Sequence, residues 1–282
     1  MSDSDDFVTV YGDSWGALMT ALEADDVMPL WADQGHHWRS PYVFRGMDCE
    51  AYRLDTTLER LESPPGKVEG PLLRSFAKYV PPGTHAVHSS WEQLALAQHN
   101  GLPTRVLDWT SSPLVAVHFA TANKEHYDKD GVVWCVDVEE VHSQPPGLAA
   151  KLKDAGAFVY FVALLDQVFP TLAALDSYAE AGFKGSFMLF FEPPSIDARI
   201  QNQRGLLSVT NGPAENQHVF LSELARRNPK AVRRIVIKSE AKPRIRDMLD
   251  QSNITERVLF PGLPGLCQWL ARYYGPSRGT SR

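Results

Sequence analysis

Apolar positions recur along this chain at two different spacings, and the switches between them lay out its elements. Trp15, Leu18, Met19 and Leu22 fall three or four apart, which predicts a helix over about residues 14–27. Over 37–46 the pattern becomes strand-like and ends in Tyr42-Val43-Phe44-Arg45-Gly46, where the glycine permits a sharp departure and leaves Arg45 displayed at a strand end. Ser63-Pro64-Pro65-Gly66 and Pro81-Pro82-Gly83 read as loops around a short helical piece at 72–79. The best-marked helix starts at Ser90, because Ser89 and Glu92 have capping-box spacing and Asn100-Gly101 supplies a stop. His99 then lies in its last turn. Ser112-Pro113 suits an N-cap followed by a first helical position, opening a helix that runs to about Asn123. Asp128-Lys129-Asp130-Gly131 reads as a turn into a strand at 132–138.

Further strands are predicted at 157–164, 186–192, 205–210 and 232–238, and helices at 167–181, 219–227, 241–250 and 263–274. This mixture is α+β, with a mixed or mainly antiparallel sheet and several flanking helices. Residues 1–13 are expected to form a disordered acidic N-terminus and 275–282 a flexible tail. Between them, 14–274 make one domain: 37–138 bear the motifs, and 147–274 complete the sheet beyond the Gln144-Pro145-Pro146-Gly147 loop. No fixed-period repeat is present, which argues against a solenoid.

Composition narrows the class. With 44% hydrophobic and 22% charged residues, the 282-residue chain is globular in type. No apolar run nears the roughly 20 residues of a bilayer span, so no membrane association is expected. Cys49, Cys135 and Cys267 are odd in number and far apart, matching neither a disulfide framework nor a metal-ligand pattern; they point to a reducing, cytoplasmic setting and to no metal site. The formal charge of −6 argues against nucleic acid as a partner. Arg226-Arg227 and the Lys230–Arg234 run read as compensation of a helix end on a solvated face.

Phosphate-loop, nucleophile-elbow and paired-histidine zinc signatures are missing from the sequence. The densest chemistry lies between Gln98 and Pro113. A helix starting at Ser112-Pro113 presents unpaired backbone N–H groups, and Thr110, Ser111 and Ser112 add hydroxyls, a corner suited to an anion. Arg45 would add a planar fork of donors, and Trp109 a face for a ring. The plainer alternative makes Ser112 only a cap, Trp109 only core and Arg45 only a partner for Asp108. His99 and Asp108 form a candidate acid–base pair, against the alternative that His99 merely complements a helix dipole. Gln203, ahead of Gly205, either faces the same cleft or satisfies loop backbone, and Glu192 ends an apolar strand either at the site or in solvent.

Phe44-Arg45-Gly46, followed by His99-x-Gly101-x-Pro103-Thr104-Arg105-x-Leu107-Asp108-Trp109-Thr110 and Ala116-x-x-Phe119-Ala120, resembles the FRG-domain family. Gln203-x-Gly205 and Leu259-Phe260-Pro261-Gly262-Leu263-x-Gly265-Leu266 look like its downstream pattern, extending the resemblance over about 14–274. The resemblance implies occurrence among bacterial and phage proteins and leaves the activity open. An arginine on an early strand, a Thr-Ser-Ser corner and a later polar residue also look like the arginine-serine-glutamate layout of ADP-ribosyltransferases, an analogy of layout only. On that analogy no prosthetic group is needed and NAD is the substrate: Arg45 contacts its phosphate or ribose, Thr110 to Ser112 brace the nicotinamide side, and Gln203 takes the third position. Gln203 departs from the usual glutamate there, because a neutral amide cannot offset a developing positive charge. The expected function is therefore binding of a nucleotide-like small molecule, with ADP-ribosyl transfer or NAD hydrolysis. The alternatives are a non-catalytic module recognising a protein or ligand, and a hydrolase or nuclease using His99 and Asp108.

Overall fold

The computed structural model describes residues 7–22, 28–29, 38–80, 89–194 and 198–275. In chain order the strands are β1 (Val8–Gly12), β2 (Met28–Pro29), β3 (Trp38–Arg39), β4 (Tyr42–Met47), β5 (Leu107–Thr110), β6 (Gly131–Asp137), β7 (Tyr160–Phe161), β8 (Met188–Glu192), β9 (Gly205–Thr210) and β10 (Val232–Ile237). The helices are α1 (Trp15–Leu22), α2 (Pro65–Tyr79), α3 (Ser90–His99), α4 (Pro113–Thr121), α5 (Val138–His142), α6 (Pro146–Asp154) and α7 (Val162–Val168). They continue as α8 (Leu172–Asp176), α9 (Ala198–Asn202), α10 (Gln217–Arg227), α11 (Lys242–Gln251), α12 (Glu256–Leu259) and α13 (Leu263–Tyr273).

Eight strands form one mixed sheet in the order β1-β10-β6-β4-β5-β9-β8-β7, antiparallel through its middle and parallel at both ends. The architecture is α+β. The order interleaves the two halves of the chain, since β6 lies between β10 and β4 while β5 pairs with β9. The Gln144–Gly147 stretch therefore does not divide the sheet into an early and a late part.

Side chains alternate across the sheet as the pleat requires, so each strand serves two cores. Val43, Trp134, Trp109 and Phe190 pack on one face. On the other, Tyr42 and Phe44 meet Ala116, Val117 and Ala120 of α4, while Leu207 and Phe191 meet Trp91 and Leu94 of α3. Gly46 allows α4 to lie directly on β4: a Cβ there would stand 1.8 Å from the Ala116 carbonyl oxygen and 2.8 Å from the Ala120 nitrogen. The start of α3 follows its capping signal, with the Ser89 hydroxyl accepting from the Glu92 N–H at 3.2 Å. Its stop is equally local: Gly101 takes φ +80°, and the Leu102 N–H reaches back to the Ala97 carbonyl at 3.0 Å.

Several expectations need correction. Residues 8–12 are not a disordered tail but strand β1, held in register with β10 beside the buried Phe7; residues 1–6 lie outside the described set, as do the Pro81-Pro82-Gly83 turn and the tail beyond 275. Pro65 and Pro146 open α2 and α6 instead of sitting in loops, because a proline lacking its N–H costs nothing in a first helical turn. The apolar run at 157–164 supplies only the two-residue β7, then coils into α7, since a short apolar run fits a buried helix as well as a strand. The helix expected over 167–181 breaks at Phe169-Pro170, where proline excludes α conformation from the residue before it, and resumes only as α8.

Candidate functional site

β4 and β5 pair at a single position, Phe44 with Thr110, and then separate. A continuing ladder would next bring Gly46 opposite Asp108. Instead the Arg45 guanidinium reaches across, donating from Nη1 to the Asp108 carbonyl oxygen. The Arg45 Nε is buried with no hydrogen-bond partner, and among the described residues Arg45 makes no ion pair. Burial pulls its pKa below the ordinary arginine value, the nearby Asp108 charge opposes that fall, and Arg60 adds to it. Arginine stays protonated regardless. The result is a cation at the bottom of an opening with its charge poorly compensated.

The opening is a cavity of about 260 Å³ in which Arg45, His99, Asp108, Trp109, Thr110 and Gln203, all singled out from sequence, share one wall or another. A second cavity of about 570 Å³ shares Pro193, Ile200, Gly205 and Leu206 with it, so the two are lobes of one cleft. Ser111 and Glu192 line this second lobe. Ser112 lines neither.

Convergence in space does not give each residue the expected role. The Trp109 ring is 3% exposed, meets Phe190 edge to face at 5.4 Å, and donates its N–H to the Ser208 hydroxyl at 2.7 Å. It has no free face for a ligand ring. Thr110 is a brace: its hydroxyl donates to the Gln203 carbonyl at 2.7 Å and accepts from the Ser112 N–H at 3.0 Å. Ser112 sits at the N-cap of α4 without a side-chain capping bond. The Ser111 N–H binds the Arg204 carbonyl at 3.2 Å, so the end of β5 is stitched to the 203–204 turn. The Gln203 amide itself donates to the Leu259 carbonyl at 3.0 Å, the loop-satisfying role foreseen as its alternative.

Asp108 keeps more freedom, and His99 lines the same cavity. The Asp108 side chain is exposed to the cavity and accepts from the Gln98 amide at 2.7 Å, while the Gln98 carbonyl accepts from the Thr104 hydroxyl. Gln98 thereby fixes one side of the carboxylate, a role the sequence reading missed although Gln98 lies in the dense segment. Arg199 and Arg204 were also missed. Arg199 lines the first lobe and lies over the Phe260 ring at 5.1 Å; Arg204 lines the second at φ +47°, rare for a residue with a Cβ. Their only sequence signal was a pair of basic residues flanking Gln203.

Residues 40–129 match the family model of the FRG domain. Over that segment the chain is similar to the FRG domain. No curated protein and no solved structure matches it. The FRG triplet divides its labour: Phe44 is 2% exposed in the core under α4, Arg45 enters the cleft, and Gly46 admits the α4 backbone. The matched segment supplies β4 and β5, yet nearly all their strand partners, β6 and β9, lie beyond residue 129. The FRG segment thus shares one sheet with chain on its C-terminal side.

Among the described residues, two buried clusters of ion pairs lie outside the cleft. Arg105, 3% exposed, is held by Glu69 and Asp176, with Nε to Glu69 Oε1 at 2.7 Å. Burial would lower its pKa, but the bonds to Glu69 and Asp176 outweigh that and raise it. It joins α2, α8 and the chain entering β5. At the C-terminal end, Glu256 accepts from Arg246 at 2.7 Å and from Arg272 at 2.7 Å. Among the described residues, no three His, Cys, Asp or Glu side chains gather as a metal site, and no helix is long and apolar enough to cross a membrane.

Proposed function

We propose that the cleft of this FRG-domain protein binds a nucleotide-like anionic ligand, with NAD as the candidate. One observation carries the reading: Arg45 is a half-buried cation whose Nε has no partner and whose single bond goes to a carbonyl, at the base of a concave site. Removing a guanidinium from water without a carboxylate costs several kcal/mol, and a phosphate would offset that cost with charge-assisted, two-point bonds. Arg199 in the same lobe adds to the attraction for an anion. A joint cleft of this size falls in the range of small-molecule sites.

For chemistry on NAD, Asp108 is the carboxylate of the first lobe and would oppose positive charge developing on a ribose; Gln98 orients it. His99 lines the same wall and would serve proton transfer. A second reading, a recognition module without turnover, is favoured by Gln203, whose amide donates to the Leu259 carbonyl and is committed to the fold.

Calorimetric titration with NAD and ADP-ribose tests the binding. Wild type should bind at least one of them, and Arg45→Ala should weaken that binding by about 10-fold or more, as expected for a charge-assisted pair. Heat signals that are absent, or equal in the two proteins, would overturn the proposal. Nicotinamide release by wild type that disappears in Asp108→Ala would then select the enzymatic reading, and binding without release the recognition module.

A further inference from the structure

The second lobe is built differently from the first. Its lining includes Val43, Val159, Ile200 and Leu206 together with Phe158 and Phe161. Phe161 is 40% exposed although its strand neighbour Tyr160 is 1% exposed. A large aromatic ring held by a strand, yet open to a cavity, is a ready stacking face. Phe161 pairs in parallel register with Glu192, so the ring and the carboxylate stand side by side on the same face of the sheet. Glu192 is exposed and, among the described residues, makes no ion pair. An acceptor beside a stacking face is the arrangement that reads an exocyclic amine on a flat heterocycle.

Arg204 lies at the seam. Gln203 belongs to the first lobe, Arg204 to the second and Gly205 to both. The left-handed conformation of Arg204 is maintained by two bonds, its own N–H to the Gln201 carbonyl at 3.1 Å and the Ser111 N–H to its carbonyl at 3.2 Å. Strain of this kind at a cleft is a known companion of ligand sites. The Arg204 side chain is exposed and unpaired among the described residues. Arginines therefore serve both lobes, Arg45 and Arg199 in the first and Arg204 in the second, with the backbone of Gly205 between them.

We infer that the cleft takes a nucleoside diphosphate group lengthwise: an amine-bearing base in the second lobe against Phe161 with its amine on Glu192, and the diphosphate running past Arg204 to Arg45. This assignment rests on the anion-binding reading above and adds to it the class of ligand and the residues that select the base. No bond is made or broken in it.

The test compares ADP, IDP and inorganic pyrophosphate by calorimetry on the full chain. Wild type should bind ADP about 10-fold more tightly than pyrophosphate, the advantage expected from one stacked base. Phe161→Ala should erase that advantage while leaving pyrophosphate affinity unchanged, and Phe161→Trp should restore it. Because IDP carries an oxygen where ADP carries an amine, wild type should prefer ADP, and Glu192→Ala should abolish the preference. Phe161 and Glu192 are both exposed, so folding is not at stake in these variants. Equal affinity for ADP and pyrophosphate, still dependent on Arg45, would overturn the base lobe and leave the anion site standing. Binding of all three that is indifferent to Arg45→Ala would overturn both.

Discussion

Two arginines of the FRG segment, Arg45 and Arg105, are drawn out of water to opposite ends. Arg105 is nearly sealed and answered by two carboxylates, Glu69 and Asp176, which hold its pKa above the ordinary value. Arg45 is answered by one carbonyl, keeps an unpartnered Nε, and is held below the ordinary value. A buried charge with complete partners ties elements together; one with incomplete partners, facing a cavity, leaves a donor unsatisfied. The histidines show the third outcome. His118 and His142 are buried without a carboxylate bonded to the ring, and each is pushed down to about 3, His118 by burial and then by the charge of Arg246 beside it, His142 by burial alone. A histidine can discard its proton under that pressure and an arginine cannot.

The largest effect that would break this contrast is on stability. Arg105→Ala should cost roughly 3–5 kcal/mol in urea unfolding, because it leaves Glu69 buried without its cation. A loss below about 1 kcal/mol would mean that Arg105 is no more structural than Arg45.

Acid should act next. A histidine whose folded pKa lies below its unfolded value near 6.5 contributes stability above that value and loses it as pH falls toward about 3. Each of His118 and His142 should thus weaken the fold by up to roughly 1.4 kcal/mol per pH unit below about 6.5. Unfolding midpoints between pH 7 and pH 5 would show the decline, and a shallower slope in His142→Gln would assign its share. Glu256 extends it at lower pH. Burial raises that carboxyl, but the Arg272 hydrogen bonds and the Arg246 charge prevail and hold it at about 2, so its contribution is present above about 4.3 and fades toward 2.

Gly46→Ala probes the backbone under Arg45. The added methyl would overlap the α4 backbone, which cannot yield as a flexible side chain would, and a loss of about 1–3 kcal/mol is expected from the shift in melting temperature. Arg45→Ala should be the mildest of all, within about 1 kcal/mol of wild type, since it removes one hydrogen bond and a desolvated charge together. Its mark should instead be functional: an anionic ligand at 100 times its wild-type Kd would stabilise wild type by about 2.7 kcal/mol and this variant, with binding weakened about 10-fold or more, by about 1.4 kcal/mol or less. Equal ligand-induced shifts in the two proteins would remove the distinction between the arginines.

Much of the local structure was legible because its causes are local. The Ser89 cap, the Gly101 stop and the proline start of α4 are written within a few residues of the elements they define. The same holds for the strands at 186–192, 205–210 and 232–238, whose apolar runs are long enough to be read as buried. Arg45, His99, Asp108 and Gln203, candidates named from the sequence, line one opening. What each would do there was not legible. Whether Trp109 offers its face or buries it depends on Phe190 and Ser208, and whether the Gln203 amide is available depends on Leu259.

By itself, then, the sequence determined the α+β character, the FRG triplet and the polar segment from Gln98 to Ser112, all of which rest on short-range pattern. Tertiary structure alone decided the order of the eight strands, the parting of β4 from β5 after one pair, and the consequent difference between Arg45 and Arg105. Both arginines have acidic residues within reach along the chain. Only packing settles which carboxylate meets which guanidinium, because burial and partners arrive from strands and helices tens of residues away, and a charge has no fixed meaning until the dielectric around it is known.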